Sequence, residues 1–304
     1  MVILAFAIIY VFWGSTYLAI RVAVETLPPF LSGGVRFLVA GNALLMLLRL
    51  RGMPMPNAAE WRIACVVGVL LLVGGNGLVM WAERSISSGL TALLIALTPI
   101  WFALLDWARP NGARPRWQTL AGIVVGFGGI VVLINGDARV NGSLFAAIAV
   151  IVAGIFWAGG SLYAKHTSNG GSPWMNAAMQ MICGGAGLLL VGTTLGEPWR
   201  TDWGEITARS LLALGYLIVF GSWIAFSAYV WLLQVSTPSR VSTYAYVNPV
   251  IAVFLGWALL AEAVTGRMFL GMLVVVAGVV IITMPQGQPA NTQLRTPTAQ
   301  RGRG

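Results

Sequence analysis

Charge is scarce in this chain. Asp, Glu, Lys and Arg make up 9% of its 304 residues, against about 25% in soluble domains. With 58% hydrophobic residues and a mean hydropathy of +0.83, a soluble globule would lack a water-compatible surface. Lipid is therefore the expected solvent. Histidine is limited to His166, which excludes a multi-histidine metal site and leaves membrane serines such as Ser15 and Ser222 without a base. Cys65 and Cys183 lie inside apolar runs and read as small hydrophobes, neither disulfide nor metal pair. Acids are half as many as bases: Glu25, Glu83, Asp106 and Glu262 fall near span ends, so no mid-membrane proton relay is expected, with Glu83 or Asp106 facing the cavity entrance as the alternative. Facilitated diffusion or exchange is the simpler expectation.

Long apolar runs are what the chain has. A spanning helix needs about 20 mostly apolar residues to cross about 30 Å of hydrocarbon. Nine stretches carry no formal charge: 2–20, 63–82, 85–105, 117–136, 140–164, 167–196, 210–239, 241–261 and 268–294. A tenth, 30–48, is interrupted only by Arg36. These runs are too long and uniform for a transmembrane β-barrel. The predicted helices are 2–23, 30–49, 61–82, 86–107, 117–135, 143–164, 173–194, 210–232, 239–260 and 267–284. The segment 286–304 is polar and reads as a disordered cytoplasmic tail.

The net charge of +9 is read through its distribution. With a cytoplasmic N-terminus, inner loops and tail hold eleven basic residues and outer loops six. The positive-inside rule then puts both termini in the cytoplasm of an inner-membrane, multi-pass protein. Basic charge is a topology signal here, and no nucleic-acid partner is expected.

The chain also reads as one unit written twice. FWGSTYLAIR at 12–21 resembles FWAGGSLYAK at 156–165, aligning Trp13 with Trp157 and Arg21 with Lys165. Arg36 falls on Gln180, Trp81 on Trp231 and Pro99 on Pro249. Five spans per unit, an odd number, invert the second unit relative to the first. The expected fold is an all-α integral membrane protein: ten transmembrane helices in two inverted five-helix repeats, 1–140 and 141–285, around a central cavity.

Several motifs resemble one family. IIYVFWGSTYLAIRVAVETLPPFLSGGVRFLVAG, GNGLVMWAE, SGLTALLIALTP, GIVVGFGGIVVL and STYAYVNPVIAVFLGWALLAE are similar to the EamA-type drug/metabolite transporter superfamily, nearest its YedA-like inner-membrane exporters. The resemblance covers about residues 1–284 and implies a cavity lined by helices one, three and four and their mates six, eight and nine. It also implies export of amino acids, metabolites or drugs, and marks Arg36 as typical of the fold.

Candidate residues follow from chemistry. Pro99 and Pro249 free the carbonyls of Ile95 and Ala245 and read as paired hinges, with Thr98 and Asn248 beside them. Trp13, Tyr17, Trp101, Trp157, Phe226, Tyr229 and Tyr244 suit amphipathic, aromatic or cationic solutes. Asn76, Met80 and Ser161 join them as substrate-binding candidates. Arg36 is assigned a structural role, snorkelling or bonding helix-end carbonyls, with substrate binding as the alternative. The glycine groups at 74–77, 122–126 and 184–187 read as close helix contacts, since no strand precedes them and no GK[ST] follows. The expected function is alternating-access export of small amphipathic solutes, with no enzyme chemistry, metal or cofactor expected. An intramembrane enzyme and a carrier of other cargo are the alternatives. A multi-phosphate cargo would want several buried cations, and Arg36 is the single one within a span.

Overall fold

The computed structural model describes residues 1–109, 117–134, 144–167 and 171–283. The expected tail, the 140/141 repeat boundary and six of the counted loop or tail arginines, with their neighbours at 110–116, 135–143 and 284–304, lie outside them. Among the described residues the chain is helical, with no strand. Among the described residues seven helical stretches are long and apolar enough to cross a membrane: Val2–Ala23, Pro29–Leu50, Ala58–Ala82, Ser88–Ala108, Leu144–Thr167, Pro173–Thr194 and Ala208–Val235. Three shorter apolar stretches, Leu120–Gly129, Val247–Leu260 and Gly266–Gly278, accompany them. Large apolar side chains face outward, among them Phe145 at 79%, Leu212 at 76% and Phe254 at 60% exposure. An exterior of that kind is compatible with lipid.

The first half runs α1 (Val2–Ala23), α2 (Pro29–Leu50), α3 (Ala58–Gly68), a π-helical segment Val69–Gly77, α4 (Leu78–Ala82), α5 (Ser88–Ile95), α6 (Thr98–Ala108) and α7 (Trp117–Ile134). The second runs α8 (Leu144–Thr167), α9 (Pro173–Thr194), the short α10 (Glu197–Arg200), α11 (Ala208–Tyr216), a π-helical segment Leu217–Phe226, α12 (Ser227–Val235), α13 (Pro238–Val241), α14 (Tyr244–Leu260) and α15 (Gly266–Thr283).

Helix starts are chemically marked. Asn57 and Glu60 form a reciprocal capping box on α3. Pro29 opens α2, where its missing N–H costs nothing. The next two amides, Phe30 and Leu31, donate to the Glu197 carboxylate at 3.1 and 2.8 Å. Glu262 does the same for α5, accepting from the Ser88 amide at 3.0 Å and its hydroxyl at 2.9 Å. A carboxylate at a helix N-terminus satisfies orphan donors and complements the dipole.

Two predicted helices are interrupted. The reading 86–107 is broken at Ala96–Leu97, between α5 and α6, because Pro99 cannot donate to Ile95. The Thr98 hydroxyl donates to that carbonyl instead, at 2.6 Å. The reading 239–260 breaks earlier, at Ser242–Thr243, while Pro249 lies inside α14. The two prolines thus sit in unequal local structures. The reading of 61–82 and 210–232 as plain α-helix also needs correction, since each carries a π segment.

Glycine sets the closest crossings. A Cβ at Gly68 would lie 2.5 Å from the Gln180 carbonyl oxygen, so α3 and α9 meet backbone to backbone. A Cβ at Gly278 would lie 2.6 Å from the Gly126 amide nitrogen, which fixes α15 on α7. A Cβ at Gly184 would lie 2.7 Å from the Gly68 carbonyl oxygen, so Gly126 and Gly184, from two of the glycine groups, sit at close helix contacts as read.

Candidate functional site: a polar and aromatic cavity at the centre of the bundle

The central residues come from helices that meet at non-α backbone. α1 packs on the Leu217–Phe226 segment and α8 on the Val69–Gly77 segment. In the second contact, a Cβ at Gly74 would lie 2.5 Å from Phe156, and one at Gly75 would lie 3.0 Å from Trp157. Absence of side chains there lets α8 bring Trp157 against the π segment. Across from it, the Trp13 indole N–H donates to the Gly221 carbonyl oxygen at 3.3 Å.

Trp13 and Trp157 then meet edge to face with centroids 5.4 Å apart. Tyr244 lies 5.2 Å from Trp13, and Tyr229 lies 4.8 Å from Trp13 and 5.3 Å from Trp157. Edge-on geometry is what the ring quadrupoles prefer. The polar tips are satisfied: Trp157 Nε1 donates to the Tyr229 hydroxyl at 3.0 Å, and Ser161 Oγ shares a 2.6 Å bond with the same hydroxyl.

Opposite the aromatics stands Arg36, 2% exposed. Its Nε donates to Ser222 Oγ at 2.6 Å and its Nη1 to Asn76 Oδ1 at 3.3 Å. Both acceptors are neutral, and among the described residues no carboxylate lies within ion-pair distance of it. The expected snorkelling does not occur, because partners on the two π segments hold the guanidinium inside the protein. A buried cation with neutral partners leaves its charge uncompensated at contact range, which favours an anion nearby.

Between these walls is a cavity of about 60 Å³, lined by Trp13, Tyr17, Arg36, Asn76, Trp157 and Tyr244 among others. That volume holds only a few waters, at roughly 10–15 Å³ each. Two larger pockets lie at the ends. One of about 350 Å³ includes Ala64, Val67, Lys165, Asn176, Gln180 and Gln234. The other, about 450 Å³, includes Leu27, Phe30, Trp81, Arg84 and Glu197. These mark the Lys165 end and the Glu83 end of the bundle.

Of the sequence candidates, Trp13, Tyr17, Asn76, Trp157 and Tyr244 share the cavity wall. Ser161, Phe226 and Tyr229 form a layer behind them. Met80 is buried with its sulfur against Gly33, and Asn248 is buried with its amide nitrogen positioned to donate to the Tyr244 and Tyr10 carbonyls. Trp101 packs on Phe127 and faces Gly154, away from the cavity lining. Thr16, Ile20, Gly75, Val79, Ile95 and Ala153 line the cavity without a sequence signal of their own, save the glycine run that includes Gly75.

A membrane-embedded helical bundle with an aromatic, singly cationic cavity at its centre and polar pockets at its ends is the form of a small-molecule carrier. The chain belongs to the EamA-like transporter family, whose sequence model matches residues 1–135 and again 144–284. It is 37% identical over 281 residues to the inner membrane transporter YedA of Escherichia coli K12, covering 91% of this chain and 88% of that one. The transporter YoaV of Bacillus subtilis is 27% identical, with 89% and 92% covered. A protein of known crystal structure superposes with a TM-score of 0.66 at 19% identity, covering 91% of this chain and 94% of the other, which shows a shared fold.

Proposed function

We propose that the protein exports small amphipathic solutes, amino acids or drug-like aromatic molecules, by alternating access of two inverted five-helix repeats. The observation that carries this reading is the central wall itself, where Trp13 and Trp157 from matched helices face Arg36. An aromatic surface opposite a cation without a carboxylate partner suits a solute that joins an apolar body to a carboxylate.

Several features support the repeat. The family matches twice along the chain, in 1–135 and 144–284. The π segments occupy corresponding positions in the two halves. Arg21, at the end of α1, donates to the Glu83 carbonyl oxygen just past α4. Its aligned partner Lys165, at the end of α8, donates to the Leu233 carbonyl oxygen at 2.7 Å near the end of α12. Ten spans follow if the three shorter apolar helices also cross.

The ends differ in a way that fits alternating access. At the Lys165 end a pocket of about 350 Å³ penetrates to Gln180. At the Glu83 end the cavity residues Ile20 and Val79 are buried in one apolar cluster with Met80 and Leu217. On the positive-inside count the Lys165 end reads as cytoplasmic, the side from which an exporter loads its solute.

The test is transport by purified protein in liposomes, using labelled tryptophan, phenylalanine and their decarboxylated amines. Accumulation of the carboxylates that is lost on Arg36→Met supports the reading. Folded protein that moves none of a broad amino-acid and aromatic panel refutes it.

A further inference from the structure

Glu83 takes no part in the cavity wall, yet its carboxyl is among the most enclosed polar groups of the molecule. It lies one residue beyond the Ala58–Ala82 span and is 0% exposed. Neither carboxyl oxygen has a hydrogen-bond partner. Sequence position alone placed this acid at a span end; lateral burial by neighbouring helices is what the sequence did not reveal.

Its charged surroundings come from three directions. α1 supplies Arg21 and Tyr17, and α2 supplies Arg36. Glu262 approaches from beyond α14, already bonded to the Ser88 hydroxyl and the Ser88 and Gly89 amides. α8 also packs on α4, but its ionisable residues Tyr163, Lys165 and His166 stand in its final turns at the other end. The next residue, Arg84, is exposed and lines the outer pocket. Among the described residues, no cation lies within ion-pair distance of the carboxyl.

A carboxylate removed from water without a donor is strongly disfavoured relative to the neutral acid. Burial first, then the charge of Glu262, raises this carboxyl well above the ordinary range, against the pull of Arg21 and Arg36. Its location gives that preference a consequence. Val79 lines the central cavity, whereas Trp81 and Arg84 line the outer pocket, so Glu83 sits in the partition between them. Passage from cavity to outer pocket parts this partition and brings water to the carboxyl.

We propose that Glu83 is a proton-binding site that governs the Glu83 end of the bundle, protonated while that end is closed and deprotonated when it opens. On opening, the carboxyl O–H bond breaks, the proton passes to water, and the carboxylate that remains is solvated. Closing reverses the step and takes one proton from the same side. The sign follows: between the ordinary carboxyl range and the raised one, closing binds a proton, so rising pH favours the open form. One proton sets the limit at about tenfold per pH unit. The inference rests on the opening of this end and is independent of which solute is carried.

The experiment uses full-length protein in vesicles, with Cys65 and Cys183 replaced by Ala and a reporter at Val79→Cys. A membrane-impermeant thiol reagent is applied on the Glu83 side between pH 5.5 and 8.5, without solute. Rates are normalised to Glu205→Cys, exposed on the same end. The normalised rate is expected to rise with pH by up to tenfold per unit. Glu83→Gln, a mimic of the neutral acid, is expected to give a slow, flat profile, and Glu83→Asp a displaced slope. Glu83→Met serves the same purpose if the Gln variant does not fold. A flat profile in the parent overturns the proposal. So does an unchanged slope in Glu83→Gln, or a slope abolished by Glu262→Gln and retained by Glu83→Gln.

Discussion

Replacing Gly221 and Gly215 by alanine makes the same chemical change 6 positions apart, and the structure requires opposite outcomes. At Gly215, in α11, an added Cβ meets nothing within 4 Å. The substitution there removes the helix penalty of glycine, a gain of about 0.8–1 kcal/mol. At Gly221 the Cβ would stand 2.8 Å from Arg36 Nη2 and 2.9 Å from Thr16 Cγ2. Arg36 can yield only by loosening its bonds to Ser222 or Asn76. A hydrogen bond from a charged group contributes about 1.5–3 kcal/mol, which outweighs the helix gain by about 0.5–2 kcal/mol. Thermal or denaturant unfolding of purified protein in one fixed detergent reads both signs. Gly215→Ala should raise the midpoint and Gly221→Ala lower it. Equal shifts of one sign, or a stabilising Gly221→Ala, would refute the claim that the guanidinium is held at this site.

Other expectations follow from named contacts. Thr98→Val keeps the shape but strands the Ile95 carbonyl beside Pro99, and should cost about 1–3 kcal/mol in the same unfolding assay. Lys165→Met removes the donor to the Leu233, Gln234 and Ser236 carbonyls; hydrogen exchange of α12 should accelerate, while α5 stays protected. Arg36→Met should lower uptake of a carboxylate solute at least about tenfold, the equivalent of 1.4 kcal/mol, and spare its decarboxylated amine. Tyr229→Phe leaves the Trp157 N–H without its acceptor and should destabilise by about 1–3 kcal/mol, read as an earlier unfolding midpoint.

The apolar runs were legible because a membrane demands them wherever the chain crosses. Trp13 and Trp157 were legible too, since the repeat aligned them and the aromatic chemistry suggested a pocket. Arg36 was legible as a lone intramembrane cation, but its partners were not. Ser222 and Asn76 reach it across 186 and 40 residues of sequence, through helix contacts that no local spacing encodes. The π segments were likewise hidden. The first is packed by Phe156 and Trp157 against Gly74 and Gly75, which is tertiary packing and not a propensity of VLLLVGGNG. Glu83 shows the same limit from another side: position along a span reports depth, whereas enclosure depends on which helices stand beside it. Glu262, which read only as an acid near a span end, and Glu197, which carried no reading, cap helices more than 160 residues away.

The segments Val69–Gly77 and Leu217–Phe226 have a further consequence for how this chain tolerates change in length. An i→i+5 ladder winds more residues into each turn than an i→i+4 ladder does. Each of these helices therefore holds slack that its neighbours lack. A one-residue deletion inside the slack tightens the winding and leaves the flanking faces, with Ala64 and Val67 on one side and Ser227 and Tyr229 on the other, pointing where they do now. The same deletion in α9 would turn every following side chain by about 100° and drive Leu188 out of its contacts.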